Sequence, residues 1–314
     1  MMGTKRFKIK KIIILSIAIL FIFILALFIW IILPGPEATL ISLIPAESFA
    51  YASVKISLTD SGVSDLVNNL RLITNNPVVK IKERFLIKFI MPLFLPMDVA
   101  TTFILNPDTK NPDYLVFVKN NRLTRLFRLS ALLKIRLIKG HLYTIFKDVI
   151  IISRQSFLAK RGLNSYNKRV NKRVVFLSNE VDDFWRLRDT EDGVLIINNA
   201  DANFSEFIKD LERKNAFIIF PTVNSIKWIS GYLDIVNADK IKGSLIFKYK
   251  ELTDVEATKG DIHFFSEIFH RFFRANGLNF IKEMMARSDS LDLNFEISGL
   301  RRLTVSLLSQ KGEK

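Results

Sequence analysis

Apolar positions in this chain follow three different periods, and each predicts a different element. Residues 12 to 33, IIILSIAILFIFILALFIWIIL, are 22 consecutive residues without a charge, 18 of them Leu, Ile or Phe. At about 1.5 Å per residue a helix of that length reaches roughly 33 Å, enough for a hydrocarbon core of about 30 Å. Insertion values of about 0.3 to 0.6 kcal/mol per residue favour burial in lipid by on the order of 5 to 10 kcal/mol. The pattern predicts a membrane-spanning helix. After it, SFAYASVKIS alternates as a strand does, and Asp60 stands as an N-cap ahead of Val63, Leu66, Val67 and Leu70, the i, i+3, i+4, i+7 spacing of an amphipathic helix. The same order returns at GVLIINN, Asp201, and then Phe204, Phe207, Ile208 and Leu211. The match reads either as a duplicated α+β module or as two independent uses of a common strand-cap-helix motif.

Between these units the chain reads mostly as hairpins. VATTFIL and YLVFV flank the turn-rich NPDTKNPD, a basic helix is expected from Arg122 to Leu133, and KIRLIK, HLYTIF and VIIIS follow as strands. A short helix is expected at Ser156 to Arg161. The second half is expected to have strands at Tyr232 to Ile235, Ser244 to Tyr249 and Leu291 to Ile297, helices at Ile262 to Ala275 and Leu278 to Ala286, and a last strand LTVSLLS. The predicted fold class is α+β: an N-terminal transmembrane helix and an extracytoplasmic domain of antiparallel sheets with helices, in two similar halves. The boundaries are a cytoplasmic basic tail at 1–11, the span at 12–33, and α+β halves at 34–180 and 181–314. No strand leads into a Gly-rich phosphate loop, which excludes a nucleotide-binding parallel sheet.

Charge orients the span. Lys5, Arg6, Lys8, Lys10 and Lys11 precede it, whereas Pro34 to Val54 carries Glu37 and Glu47 and no Lys or Arg. The N-terminus is therefore expected in the cytoplasm and everything after Pro34 outside, in the bacterial cytoplasmic (inner) membrane. A cleaved signal peptide fits less well, because its apolar region usually has about 7 to 15 residues and ILPGPEATL offers no small-x-small cleavage site. Cys is absent, which excludes a disulfide, a thiolate metal site and a thioether-anchored lipid. The span contains no Gly and no ionisable group, so it reads as a tether, neither a helix-packing face nor an ion path.

The anchor followed by LIPAESFAYASVKI, the FILNPD…PDYLVFVKN hairpin and GHLYTIFKDVIIISRQSFL resembles a bacterial family of single-pass envelope proteins, a domain of unknown function. The resemblance implies an extracytoplasmic α+β domain and supplies no catalytic residues.

Candidate chemistry is sparse. His263, Glu267 and His270 share one stripe of the expected helix, a spacing that could converge on a metal, but Phe265, Ile268, Phe269 and Phe272 fill the opposite face and no fourth ligand is evident, so a solvated stripe is the better reading. Ser165 to Lys168 matches SxxK without the KTG that accompanies it in acyl-transfer enzymes, and no GxSxG occurs. Asp182 with Asp183 and Glu191 with Asp192 are neighbours in charged turns, which does not make two carboxyls converge across a cleft. No catalytic residue, metal or cofactor is expected.

Charge segregation is the strongest functional signal. Lys119 to Arg173 holds 15 Lys and Arg against one acid, Asp148, while the whole chain has a net charge of +15. The candidate anion contacts are Arg122, Arg125 and Arg128 on the basic helix, Lys134 and Arg136 after it, and the cluster Lys168, Arg169, Lys172 and Arg173. Anionic lipid or an anionic envelope polymer fits these groups, as do envelope proteins. Nucleic acid does not, given the expected location and the absence of a nucleic-acid motif. A second contact candidate is FLIKFIMPLFLPM, residues 85–97, either core or exposed. The function expected is a membrane-anchored, non-catalytic binding or scaffolding protein of the cell envelope. The alternatives are an acyl-chain carrier with a cleft between the halves, and a hydrolase of envelope polymers.

Overall fold

The computed structural model describes residues 35–38, 40–45, 47–73, 91–105, 112–132, 142–154, 191–199, 202–214, 221–250, 273–287 and 290–302, with single residues or short pieces within 21–33, 85–88 and 259–271. Ten strands are present: β1 (Ser48–Ile56), β2 (Met97–Leu105), β3 (Pro112–Lys119), β4 (Leu142–Phe146), β5 (Val149–Ser153), β6 (Gly193–Asn198), β7 (Ile226–Asn237), β8 (Lys240–Tyr249), β9 (Asn279–Ala286) and β10 (Ser290–Ser298). They form one ten-stranded sheet in the order β4-β5-β3-β2-β1-β6-β7-β8-β10-β9. Every neighbouring pair is antiparallel.

Outward from the central β1–β6 pair, the order is β1, β2, β3, β5, β4 on one side and β6, β7, β8, β10, β9 on the other. The same arrangement of five strands therefore occurs twice, back to back. At the centre Ser53 pairs with Val194, and these are the residues that correspond when Asp60 is aligned with Asp201.

Alternation along the strands sorts the core onto two faces. Tyr51, Ala100, Phe117, Ile151, Val194 and Ile196 lie on one face, buried under Ala38, Leu40, Leu43 and Ile44 from the segment that precedes β1. On the other face a row in register, Ala50, Ile197, Ile229, Phe247 and Leu291, crosses five strands. Helix α3 (Asn203–Lys214) covers that row with Phe204, Phe207 and Ile208. Phe207 also meets Phe49 of β1, ring centroids 5.7 Å apart. Helix α1 (Ser61–Ile73) follows β1 but packs Val63 and Val67 on Leu233, Ile235 and Ile241 of β7 and β8. Helices and strands of the two halves are thus interlocked. Each large side chain so buried contributes about 1.5 to 3 kcal/mol.

Capping follows residue chemistry. The Val63 amide donates to Asp60 Oδ1 at 2.9 Å, the N-cap expected for α1. Asp201 lies outside the described residues, and the side-chain cap of α3 is Asn199, fully buried, whose Oδ1 accepts from Ser205 N at 3.0 Å while its Nδ2 donates to the Val223 and Ile226 carbonyls. Asn120 does the same for helix α2 (Asn121–Leu132): Oδ1 accepts from Leu123 N, and Nδ2 donates to the Phe94 and Pro96 carbonyls. One buried amide in each place starts a helix and fastens a neighbouring 3-10 turn.

Two expectations are corrected. The fold is not an α+β assembly of a transmembrane helix and two sheeted halves. It is dominated by one continuous antiparallel sheet with few helices, because β1 and β6 pair with each other and leave no edge at which two halves could separate. No helix among the described residues is long and apolar enough to cross a membrane. Residues 12–33 lie mostly outside the described residues. Phe21, Ile22, Leu25, Ile29 and Trp30 are described there as helical, with side chains 39% to 65% exposed.

The second correction concerns Leu278 to Ala286, expected as helix. Asn279–Ala286 is strand β9, paired with β10 over eight residues. Gly277 is left-handed at φ 74°, and Leu278 N donates back to Phe273 O, so the preceding helical turn stops there. Phe280, Lys282 and Met284 then alternate with Ile281, Glu283 and Met285, and pairing with β10 selects the strand. The expected strands KIRLIK and LTVSLLS and the helix at Ser156 to Arg161 lie outside the described residues. Of residues 85–97, Phe85 is exposed at 57%, while Leu95 is buried with Met91 and Met97 packed beside it.

Gly62 reports directly on the interlock. A Cβ there would collide with the Ile235 carbonyl of β7, a backbone atom that cannot swing away. Gly62→Ala is expected to destabilise the protein by about 2 to 3 kcal/mol, as overpacking does, despite the higher helix propensity of Ala. Chemical denaturation checks this; a neutral or stabilising result would mean that α1 does not rest on β7.

Candidate functional site: the junction between the N-terminal segment and the basic helix

Helix α2 carries Arg122, Arg125 and Arg128 and no acidic residue in its first turn. Three positive side chains at i, i+3 spacing repel one another, and those nearest the N-terminus oppose the helix macrodipole, each at a cost of a few tenths of a kcal/mol. Helix stability therefore does not explain the arrangement. On the inner side of α2, Thr124, Phe127 and Ser130 are buried, and Phe127 meets Tyr143 of β4 edge-on at 5.0 Å. That packing sends the arginines outward, toward the chain entering the domain.

The end of the apolar N-terminal segment meets them there. The Arg125 guanidinium lies over the Trp30 ring, 5.3 Å from its centroid. Asn121 Nδ2 donates to the Leu33 carbonyl at 2.5 Å. A Cβ on Gly35 would come within 2.7 Å of Asn121 Oδ1, so the backbone passes tightly over the first turn of α2. Glu37 accepts from Lys119 Nζ at 3.3 Å, and Ala38 N donates to Asp148 Oδ1 at 2.7 Å. Arg128 closes the far end by donating to the Lys147 carbonyl at 2.8 Å.

Asp148 is the hub of these contacts. It sits 3% exposed in the turn between β4 and β5, after Lys147 in a left-handed conformation at φ 52°. Its backbone carbonyl accepts from Asn120 N at 2.9 Å, and Oδ2 lies 3.8 Å from Lys119 Nζ. Burial pushes its carboxyl above the usual aspartate range, against the opposing pull of the Ala38 amide and the Lys119 ammonium.

A cavity of about 350 Å³ opens at this junction, lined by Lys55, Lys119 and Arg122, by Glu37, Asp98 and Asp148, and by Ser57, Leu95, Pro96, Asn120 and Asn121. A smaller cavity of about 100 Å³ shares Lys55 and Asp98 and extends to Glu191 and Asp192. Asp192 is buried, accepts from Ile235 N at 2.8 Å, and is likewise pushed up by burial.

Of the candidate anion contacts, Arg122, Arg125 and Arg128 lie on α2, whereas Lys134, Arg136, Lys168, Arg169, Lys172 and Arg173 lie outside the described residues. Lys55, Asp98, Lys119, Asn120 and Asp148 were missed as site residues. A polar pair, Asn120–Asn121, before a basic amphipathic run was a usable cap signal for the helix end of the site.

The His stripe is otherwise occupied. Glu267 ion-pairs with Lys282 at 2.7 Å, and that hydrogen bond holds its carboxyl below the ordinary glutamate range. His270 Nδ1 lies 3.1 Å from the Phe280 carbonyl. Lys282 Nζ also lies 2.6 Å from Ser266 Oγ, the Ser and Lys proximity that a hydrolase would use. Here the serine is 2% exposed and its hydroxyl donates to the His263 carbonyl. An ammonium paired with a carboxylate has no lone pair to take a serine proton, and neither residue lines the two cavities described.

No protein-family model matches the chain, and no curated protein matches it. Among solved structures, the chain is similar to crystal form III of TP0453, with a TM-score of 0.45 and 11% identity over 86% of this chain and 98% of that one. Crystal form I of TP0453 gives a TM-score of 0.41 and 12% identity over 87% and 98%. Likeness at this level carries no inference about function.

The raised carboxyl of Asp148 fixes the sign of a pH effect. A carboxyl with a folded pKa above its unfolded value contributes most below about pH 3.9, and that contribution is lost as pH rises through the folded value. Asp148→Asn keeps an acceptor for Ala38 N and does not titrate. Its stability relative to the native protein should therefore improve as pH rises from about 4 toward neutrality, read by denaturation at several pH values. A relative loss over the same range would mean that Lys119 and the Ala38 amide outweigh burial.

Proposed function

We propose that this chain is a membrane-anchored, non-catalytic binding or scaffolding protein of the bacterial envelope, with the sheet domain outside the cytoplasm and α2 held at the lipid headgroup layer. The observation that carries this is the junction: the last residues of the exposed apolar N-terminal segment, Trp30 and Leu33, are tied to Arg125 and Asn121 of the basic helix. If that segment is in lipid, the arginines stand at the charged surface, where each is worth about 1 kcal/mol toward anionic groups. The tether keeps them there at high effective concentration. A tryptophan stacked on an arginine also suits the membrane interface. The acyl-chain carrier would need a long apolar groove, and both cavities described are lined largely by charged and polar groups.

Two measurements test the reading. Single Cys residues at Thr4 and Ser306 should react differently with a membrane-impermeant thiol reagent in cells whose outer barrier is opened, with Ser306 labelled and Thr4 protected. Labelling at Thr4 alone reverses the orientation, and recovery of the protein in soluble fractions removes the anchor. For the charge contact, the chain from Pro36 onward, once shown to be folded, should bind vesicles containing anionic lipid and release them as salt is raised, with a Debye length of about 8 Å near 0.15 M. Arg125→Glu with Arg128→Glu should weaken that binding more than about tenfold, equivalent to about 1.4 kcal/mol. Binding indifferent to lipid charge would leave the arginines as a solvated face.

A further inference from the structure

The larger cavity has a charge pattern that an anion site does not explain. Lys55, Lys119 and Arg122 are matched by Glu37, Asp98 and Asp148, so its wall carries three charges of each sign. Lys119 bridges Glu37 and Asp148, which closes one side of the cavity. Lys55 and Asp98 are direct partners across β1 and β2, and Asp98 is also the direct partner of Lys119 across β2 and β3. This carboxylate stands in register between two lysines, and cross-strand neighbours of opposite charge ordinarily close on each other. Lys119 instead takes Glu37 and Asp148, and among the described residues no ion pair joins Lys55 to Asp98. Both line the cavity instead. An ammonium and a carboxylate held apart around a hole are complementary to a ligand that carries a phosphate and an ammonium a few bonds apart.

Position narrows the source of such a ligand. The cavity is lined by Glu37, four residues beyond the end of the apolar segment at Leu33, together with Lys119 and with Asn121 and Arg122 of the first turn of α2. We infer that it is a headgroup pocket for a zwitterionic phospholipid with a primary ammonium, of the phosphoethanolamine type. The phosphate is placed toward Lys55 and Arg122 and the ammonium toward Asp98 and Glu37. A primary ammonium donates three hydrogen bonds to carboxylates, which a trimethylated one cannot do. A net-negative headgroup without an amine would bring its charge beside Asp98 with no ammonium to offset it, whereas Glu37 and Asp148 already share Lys119. This inference rests on the reading that residues 12–33 hold the domain at a membrane, and it names the lipid that the junction selects.

The test titrates the full-length chain in a non-ionic detergent with dihexanoyl phosphatidylethanolamine, the corresponding phosphatidylcholine and phosphatidylglycerol, soluble phosphoethanolamine and inorganic phosphate, read by calorimetry. Expected is saturable binding of the ethanolamine lipid at least tenfold tighter than of the choline or glycerol lipid, with phosphoethanolamine competing and phosphate alone competing weakly. Lys55→Gln and Asp98→Asn, both at ladder positions that are not fully buried, should each weaken it tenfold or more. The detergent titration contains no bilayer and the vesicle assay reads surface charge alone, so the pocket and the membrane reading fail separately. Equal binding of the three lipids, or ethanolamine binding unchanged in both Lys55→Gln and Asp98→Asn, would overturn the pocket. Phosphate competing as well as phosphoethanolamine would reassign it to a free anion and equally overturn the lipid.

Discussion

The pairing of β1 with β6 is the constraint on which the rest of the molecule depends. Both strands are central in the sheet, and Tyr51 and Ile196 meet there in register with both side chains almost fully buried. Were these strands apart, each half would present an unpaired, apolar edge, which invites aggregation. Joined, they let every other strand add outward in the same order on both sides. The helices reinforce the joint, because α1 leaves β1 to lie on β7 and α3 reaches back to Phe49. The two edges of the domain therefore belong to one hydrogen-bonded sheet, and the incoming chain has a holding point at one of them.

That holding point is at the β4–β5–β3 end. Asp148 receives the incoming chain at Ala38, Asn120 starts α2 and pins the 3-10 turn at Met91–Phe94, and Arg125 takes Trp30. Apart from the cap of α2, these contacts join residues distant in sequence, with Ala38 and Asp148 differing by 110 positions. The buried carboxylate is retained at an electrostatic cost because it closes the junction. The arginines of α2 are arranged against the preferences of their own helix, and the contacts of Arg125 with Trp30 and of Arg128 with the Lys147 carbonyl lie outside it.

Local features were legible in the sequence and the long-range ones were not. The period of Val63, Leu66 and Val67 and the cap Asp60 were enough for α1, and hairpin turns marked β2 with β3 and β4 with β5. The β1–β6 pairing was not readable, since two alternating strands more than a hundred residues apart carry no mark of being partners; hence the reading of separate α+β halves. Residues 278–286 misled because Leu278, Ile281 and Met285 fit a helical spacing as well as an alternating one, and only the β10 partner decides between them. At the site, the basic helix was visible as a run of charge. Its counterparts Lys55, Asp98 and Asp148 were not, because a mixed-charge cavity is assembled from single residues on four strands and turns.

On the proposed reading, the α2 edge of the sheet faces the membrane while the β10 edge stands away from it. In the strand order β5 and β10 are separated by seven steps, or about 34 Å at roughly 4.8 Å per step. The most direct measurement places a Cys-linked fluorophore at Ala131 on α2 or at Asn294 on β10, both exposed, in the full-length protein reconstituted into vesicles carrying a headgroup-attached quencher. The account predicts strong quenching at Ala131 and little at Asn294. Equal quenching at the two positions, or stronger quenching at Asn294, would contradict it.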